Sequence, residues 1–256
     1  LLPFIDWSPF FMTWELAGKY PNILDDDTVG EAARDLFKDA QTLLNKISDE
    51  NLLKPRGVYG FWACNRKGFD DVNVYSDNFR AEKIMTLHHL RQQTPKSNDA
   101  EPNYCLADFT APPGHEDYIG GFAVTSGSEV QDLLNDYEDD YSKIMIQALA
   151  DRLAEAFAEA MHKHVRTEAW GYASEEQLGY EELIKEKYIG IRPAPGYPAC
   201  PEHSEKESLF ELLGVTEKIG ITLTENYAMS PAASVSGWMF SHPDAKYFGV
   251  GKINEE

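Results

Sequence analysis

GVYGFWACNR (57–66), KGFDD (67–71) and VNVY (72–75) form the stretch on which the fold turns. β-Branched and aromatic residues crowd its two ends, a composition suited to a pleated, half-buried surface. Lys67-Gly68 between them is turn chemistry, so Gly57–Arg66 and Val72–Tyr75 are expected as strands joined by a short turn. The same pattern recurs downstream. Tyr104–Phe109 and Tyr118–Thr125 are expected as strands around a Pro/Gly turn, and Ile221–Ala228, Ser234–Phe240 and Lys246–Ile253 alternate as three more. Strands bunched in this way, without a helix between each pair, indicate the α+β class: one antiparallel sheet flanked by helices, in a single domain.

The helices announce themselves by period. Val29, Ala32, Leu36, Ala40, Leu43 and Ile47 recur every three or four residues, behind a Thr28/Glu31 pair at capping-box spacing. Tyr141, Ile144, Ala148, Leu149, Ala156, Phe157 and Ala160 mark a long helix from about Asp140 to Arg166, and a shorter one fits Tyr180–Lys187. Ser204 and Glu207 have the spacing of a second capping box, before Leu209, Leu212, Leu213 and Val215. Arg91 to Asn103 is polar, carries proline, and reads as a loop.

Composition narrows the function. The chain has 256 residues, 43% hydrophobic and 12% aromatic, enough for a sizeable core. Forty-three acidic against 23 basic residues leave a formal charge of -20, which repels a phosphate backbone, so nucleic acid is not an expected partner. No apolar run approaches the roughly 20 residues of a membrane span. Cys64, Cys105 and Cys200 are scattered, which argues against a disulfide framework or a structural zinc site and for a cytoplasmic location. The chain opens on Leu1 and on dense apolar sequence, as expected of a monomeric fragment of a longer polypeptide.

Few segments look chemical. Gly190-IRPAPGYPAC-Pro201 places four prolines in nine residues, so it is neither helix nor central strand. It either presents one guanidinium, one phenol and free carbonyls from a rigid loop, or serves as a stiff connector. The seven histidines show no metal-ligand spacing. There is no phosphate-binding glycine motif, and Gly120-Gly121 reads as a sheet kink or bulge. Asp151 and Glu155 share a face of the long helix, opposite its apolar stripe; a solvated face is the plain alternative.

Taken together, PFIDWSPFF, GKYP, LRQQ, YCLADF, DDYSKIM, ALADRLAEAFAE, GIRPAPGYPACPEH, LTENYAM and VSGWMFSHPDAKYF resemble the C-terminal reactivation domain of cobalamin-dependent methionine synthase, over essentially all of residues 1–256. The resemblance implies a bent antiparallel sheet with helices around it. It also implies binding of S-adenosylmethionine, whose methyl group restores methylcobalamin from inactive cob(II)alamin once an electron arrives from flavodoxin or a flavoprotein reductase. The cobalamin itself would be carried by a neighbouring domain of the same parent enzyme, a 5-methyltetrahydrofolate–homocysteine methyltransferase.

By the same resemblance, Asp6, Arg192, Gly196, Tyr197, Tyr247 and Phe248 would hold S-adenosylmethionine. Asp151, Glu155 and His203 would meet the corrinoid domain, and Lys19 the electron donor. An Arg and an Asp can clamp the zwitterionic end of such a ligand, while aromatic faces suit adenine and a sulfonium. Tyr247 and Phe248 are neighbours on an expected strand, so at most one ring should reach the ligand. The cysteine and corrinoid-ligand motifs of the parent's other modules are missing here, so the fragment alone is not expected to make methionine. A stand-alone corrinoid-protein activator and a non-catalytic S-adenosylmethionine sensor are the alternative functions.

Overall fold

The computed structural model describes residues 1–96 and 101–253. An opening helix α1 (Ser8–Thr13) leads to α2 (Gly30–Asp49), then strands β1 (Arg56–Lys67), β2 (Asp71–Tyr75), β3 (Lys83–His88) and β4 (Tyr118–Thr125). Helices α3 (Val130–Asn135), α4 (Asp140–His164), α5 (Tyr180–Ile184), α6 (Glu205–Leu213) and α7 (Val215–Ile219) follow. A small hairpin of β5 (Thr222–Leu223) and β6 (Met229–Ser230) precedes β7 (Ser234–Met239). The main sheet runs β3-β2-β1-β4-β7 with every pairing antiparallel; short turns set this for β1-β2 and β2-β3, while β4 and β7 join through long connections. β1 changes partner along its length: Arg56–Ala63 pair with β4, and Cys64–Lys67 with β2.

Alternation sorts the sheet's side chains onto two faces. Phe122, Val124 and Met239 pack against Ala158 and Met161 near the C-terminal end of α4 and Val165 just beyond it. Ala123, Ile119 and Trp238 turn the other way, onto Leu209, Leu213 and Val215 of α6 and α7. Farther toward its N-terminus, α4 meets α1 and α2 through Ile146, Leu149, Leu153, Phe10, Phe11, Leu36 and Leu44. One long helix is thereby clamped between the sheet and the N-terminal helices. This is why its buried surface is wider than a single stripe, and why the expected core positions Tyr141 and Ile144 are exposed instead.

Gly120-Gly121 is not a bulge, since β4 keeps regular register on both sides. The pair removes bulk where both layers come close. A Cβ on Gly121 would lie 2.7 Å from Leu209 Cδ1 of α6, and one on Gly120 would lie 3.0 Å from Trp170.

Several local expectations are corrected. Neither expected capping box forms among the described residues. Asp26 Oδ1 accepts from the N–H groups of Thr28 and Val29 ahead of α2, and Glu202 Oε1 accepts from Ser204 ahead of α6. Tyr104–Phe109 is not a strand. Leu106–Phe109 form a 3-10 turn in which Asp108 accepts from the Cys105 N–H while gripping Arg91 at 2.7 and 2.9 Å. Only Thr222–Leu223 of the expected Ile221–Ala228 strand is paired. Lys246–Ile253 is irregular; its Val250 N–H donates to Pro198, which has no N–H to return, so no ladder can grow. β3 is not among the expected strands, and α5 stops early because Glu186 adopts a left-handed φ of 53°.

Candidate functional site

The proline-rich loop continues the sheet past its last strand. Ile191 exchanges both backbone bonds with Phe240 at 3.0 Å, and the Trp238 N–H donates to the Pro193 carbonyl at 2.9 Å. Prolines 193 and 195 supply no donors, which ends the pairing and leaves the loop free to turn. The turn is tight. Gly196, at φ +99°, donates to the Cys200 carbonyl at 2.7 Å, and the Cys200 N–H donates back to Tyr197 at 2.9 Å. A Cβ on Gly196 would collide with the His203 ring, so both the positive φ and the close approach select glycine.

Beneath this loop lies a cleft of two lobes that share Arg192, Glu155 and Glu186. The larger, about 460 Å³, is walled by Pro193, Ala194, Tyr197, Val235, Tyr247 and Phe248. The smaller, about 170 Å³, is lined by Phe4, Asp6, Glu159 and Tyr188. A flat apolar chamber thus opens into a more acidic one that Arg152 also lines, with Arg192 at the junction.

Arg192 is fixed from two sides. Its backbone N–H donates to the Tyr247 hydroxyl at 3.0 Å, and Nη2 donates to Glu159 Oε2 at 2.9 Å. Its Nε is buried without a partner. Burial opposes the guanidinium's charge, but the Glu159 carboxylate together with the Tyr188 and Tyr247 phenols offsets it and raises the pKa. Burial likewise raises the Tyr247 phenol, which stays neutral. Behind Glu159, Arg166 lies fully buried, held by Glu176 through two bonds of 2.7 Å and stacked 4.3 Å from the Tyr188 ring centre.

The structure gathers Arg192, Tyr197, Tyr247 and Phe248 around the larger lobe and Asp6 into the smaller. Tyr247 and Phe248 both line the larger lobe from a segment that is not a strand, and the Phe248 ring also packs beside Tyr104 and Phe109. Tyr197 is 63% exposed and stands at the mouth. Gly196 acts through the turn and lines neither lobe. Glu155, expected only at a domain interface, belongs to the cleft as well. Asp151 does not. It lines a separate hollow with Gln147, Thr222 and Ala233, so these two acids open into different cavities. His203 lies in a third hollow beside Tyr197, its Nδ1 accepting from Lys206 at 2.7 Å. Lys19 is exposed and lines none of these cavities.

Sequence reasoning missed Glu159, Glu186 and Tyr188. Glu159 was one helical turn beyond Glu155, so the i, i+4 rule that paired Asp151 with Glu155 could have reached it. Glu186 and Tyr188 carried no such signal. Among the described residues, no cluster of three or more His, Cys, Asp or Glu is placed to hold a metal.

The cleft is furnished for recognition. Cys200, the thiol in the loop, is pushed up to about 12 by burial, so it is no nucleophile at neutral pH. What remains is a cation beside carboxylates at one end and an apolar, aromatic wall at the other. That combination defines an acidic α+β ligand-binding module. More specifically, the chain belongs to the family described as vitamin B12 dependent methionine synthase, activation domain, which matches residues 1–256. Among solved structures it is similar to one described as the crystal structure of the MetH reactivation domain bound to AdoHcy. The two are 58% identical with a TM-score of 0.95, over 98% of this chain and 78% of that one. No helix among the described residues is long and apolar enough to cross a membrane.

Proposed function

We propose that the two-lobed cleft binds S-adenosylmethionine and presents its methyl group to cobalamin held by a neighbouring domain of the parent methionine synthase. The observation that carries this reading is Arg192 at the junction of the lobes, its side chain still partly exposed, between an aromatic chamber and an acidic one. A guanidinium suits the methionine carboxylate, Asp6 and its neighbours suit the ammonium, and Tyr247, Phe248 and the prolines suit adenine. The larger lobe is within the roughly 300–1,000 Å³ range of small-molecule sites. The similar solved domain bound to S-adenosylhomocysteine, the product of methyl loss, supports the same assignment.

In this reading the protein's contribution is positional. The reaction takes one electron, one S-adenosylmethionine and cob(II)alamin to methylcobalamin and S-adenosylhomocysteine. The carbon–sulfur bond breaks as the carbon–cobalt bond forms, and no side chain need move a proton. The cleft's residues hold the sulfonium in line and leave one side open to the corrinoid. The electron comes from flavodoxin or a flavoprotein reductase, and the domain works as a monomeric part of one longer cytoplasmic chain.

The test combines this chain, a separately prepared cobalamin-carrying domain, methyl-labelled S-adenosylmethionine and a one-electron reductant. Label should appear on the corrinoid only when all four are present. Binding of S-adenosylmethionine without any methyl transfer would favour a sensor over a methyl donor.

A further inference from the structure

Four charged side chains of alternating sign run inward from the cleft: Arg192, Glu159, Arg166 and Glu176. Only the first two line it. Glu159 Oε2 accepts from Arg192 Nη2 at 2.9 Å, while its Oε1 is buried, makes no hydrogen bond, and sits 3.8 Å from the equally unpartnered Arg166 Nη1. Arg166 has its other two donors occupied by Glu176 and its face covered by Tyr188. The backbone is shaped for this. α4 gives way after His164 to a π turn, Val165–Ala169, and Arg166 lies in that turn. Single π turns of this kind are rare and frequently found at functional sites. Two buried arginines and two carboxylates balance in charge, as desolvated ions require.

We infer that Glu159 is a positioning residue, held in place by the Arg166–Glu176 pair, that fixes Arg192 so that the part of its side chain still open to the cleft meets the ligand carboxylate. The inference rests on the S-adenosylmethionine reading and deepens it. Arginine has a long, flexible stem, so an unanchored guanidinium would lose rotamer freedom on every binding event. Here that ordering precedes the ligand. The role depends on the reach of the side chain as well as on its charge, and substitution can separate the two. Glu159→Asp keeps the charge that compensates both arginines but draws the carboxylate back by one methylene. Glu159→Gln keeps the length and an acceptor oxygen.

Calorimetric binding of S-adenosylmethionine and of its decarboxylated analogue, to the unaltered chain and both variants, tests the assignment. Glu159→Asp should bind S-adenosylmethionine about tenfold more weakly, the scale of one charge-assisted hydrogen bond. The decarboxylated analogue should bind the Asp variant as it binds the unaltered chain, and Glu159→Gln, which removes the charge facing both arginines, should weaken S-adenosylmethionine more than its decarboxylated analogue. Glu176→Gln, which alters no cleft residue, should show the same carboxylate-selective loss in smaller measure. Equal weakening of both ligands, or no weakening in Glu159→Asp, would overturn the positioning role alone. An unaltered chain that binds neither ligand would overturn the S-adenosylmethionine reading and this inference with it.

Discussion

Asp6 works at two jobs with two oxygens. Oδ1 accepts from the Ser8 N–H at 3.0 Å, where α1 begins, and the side chain lines the acidic lobe. Asp6→Asn keeps an acceptor for the turn but removes the charge that would meet an ammonium group. We expect it to weaken S-adenosylmethionine by about tenfold and leave a des-amino analogue unchanged, measured by competition binding. Equal loss for both ligands would mean that the substitution disturbs α1 instead. A second residue-level prediction concerns pH. His89 is buried, and desolvation pushes its imidazole down to about 4. An unfolded histidine titrates near 6.5. The folded state therefore refuses a proton that the unfolded state takes between those values. The stability is fully present above about pH 6.5 and is lost toward pH 4, by up to about 1.4 kcal/mol per pH unit. Urea unfolding at pH 7 and pH 5 should show a smaller decline in His89→Leu than in the unaltered chain. Equal declines would contradict it.

At the scale of elements, the site exists because a long helix and a stiff loop are pressed against the same sheet. Gly121 is one hinge of that packing. Gly121→Ala places a methyl 2.7 Å from Leu209 Cδ1 and should cost about 1–3 kcal/mol in a denaturation experiment. Unchanged stability would show that α6 can shift at no cost. The elements also explain what the sequence could disclose. β1, β2, β4, β7, α2 and α4 were legible because hydrophobic period and turn residues act locally, within a few positions. Tyr104–Phe109 and Lys246–Ile253 misled because their fates are set by distant partners: Arg91 on Asp108, and a proline carbonyl under Val250. The candidate site divides in the same way. Arg192 and Tyr197 stood out in a loop whose prolines and glycine are unusual at first sight. Glu159 lies on a helix where a surface acid and a buried anchor look alike, and only the crossing of α4 beneath Ile191–Pro193 distinguishes them.

At the scale of the whole molecule, a net charge of -20 constrains how partners approach. An acidic electron donor would be repelled at long range, so any docking must be local. Lys19 is exposed beside Pro21 and is our candidate contact for such a donor. In the full-length enzyme, Lys19→Glu should slow flavodoxin-dependent reduction several-fold at low salt, with the difference closing as salt rises. Identical rates at every salt concentration would remove Lys19 from the interface. The cleft, by contrast, is lined on both lobes by residues of this one chain. Its central claim is therefore testable without the rest of the enzyme. Titration calorimetry of the isolated chain with S-adenosylmethionine, in metal-free buffer, should give saturable one-to-one binding. Arg192→Ala should weaken it about ten- to a hundredfold, the equivalent of roughly 1.5–3 kcal/mol. A folded chain with no saturable binding, or an Arg192→Ala variant of unchanged affinity, would contradict the account.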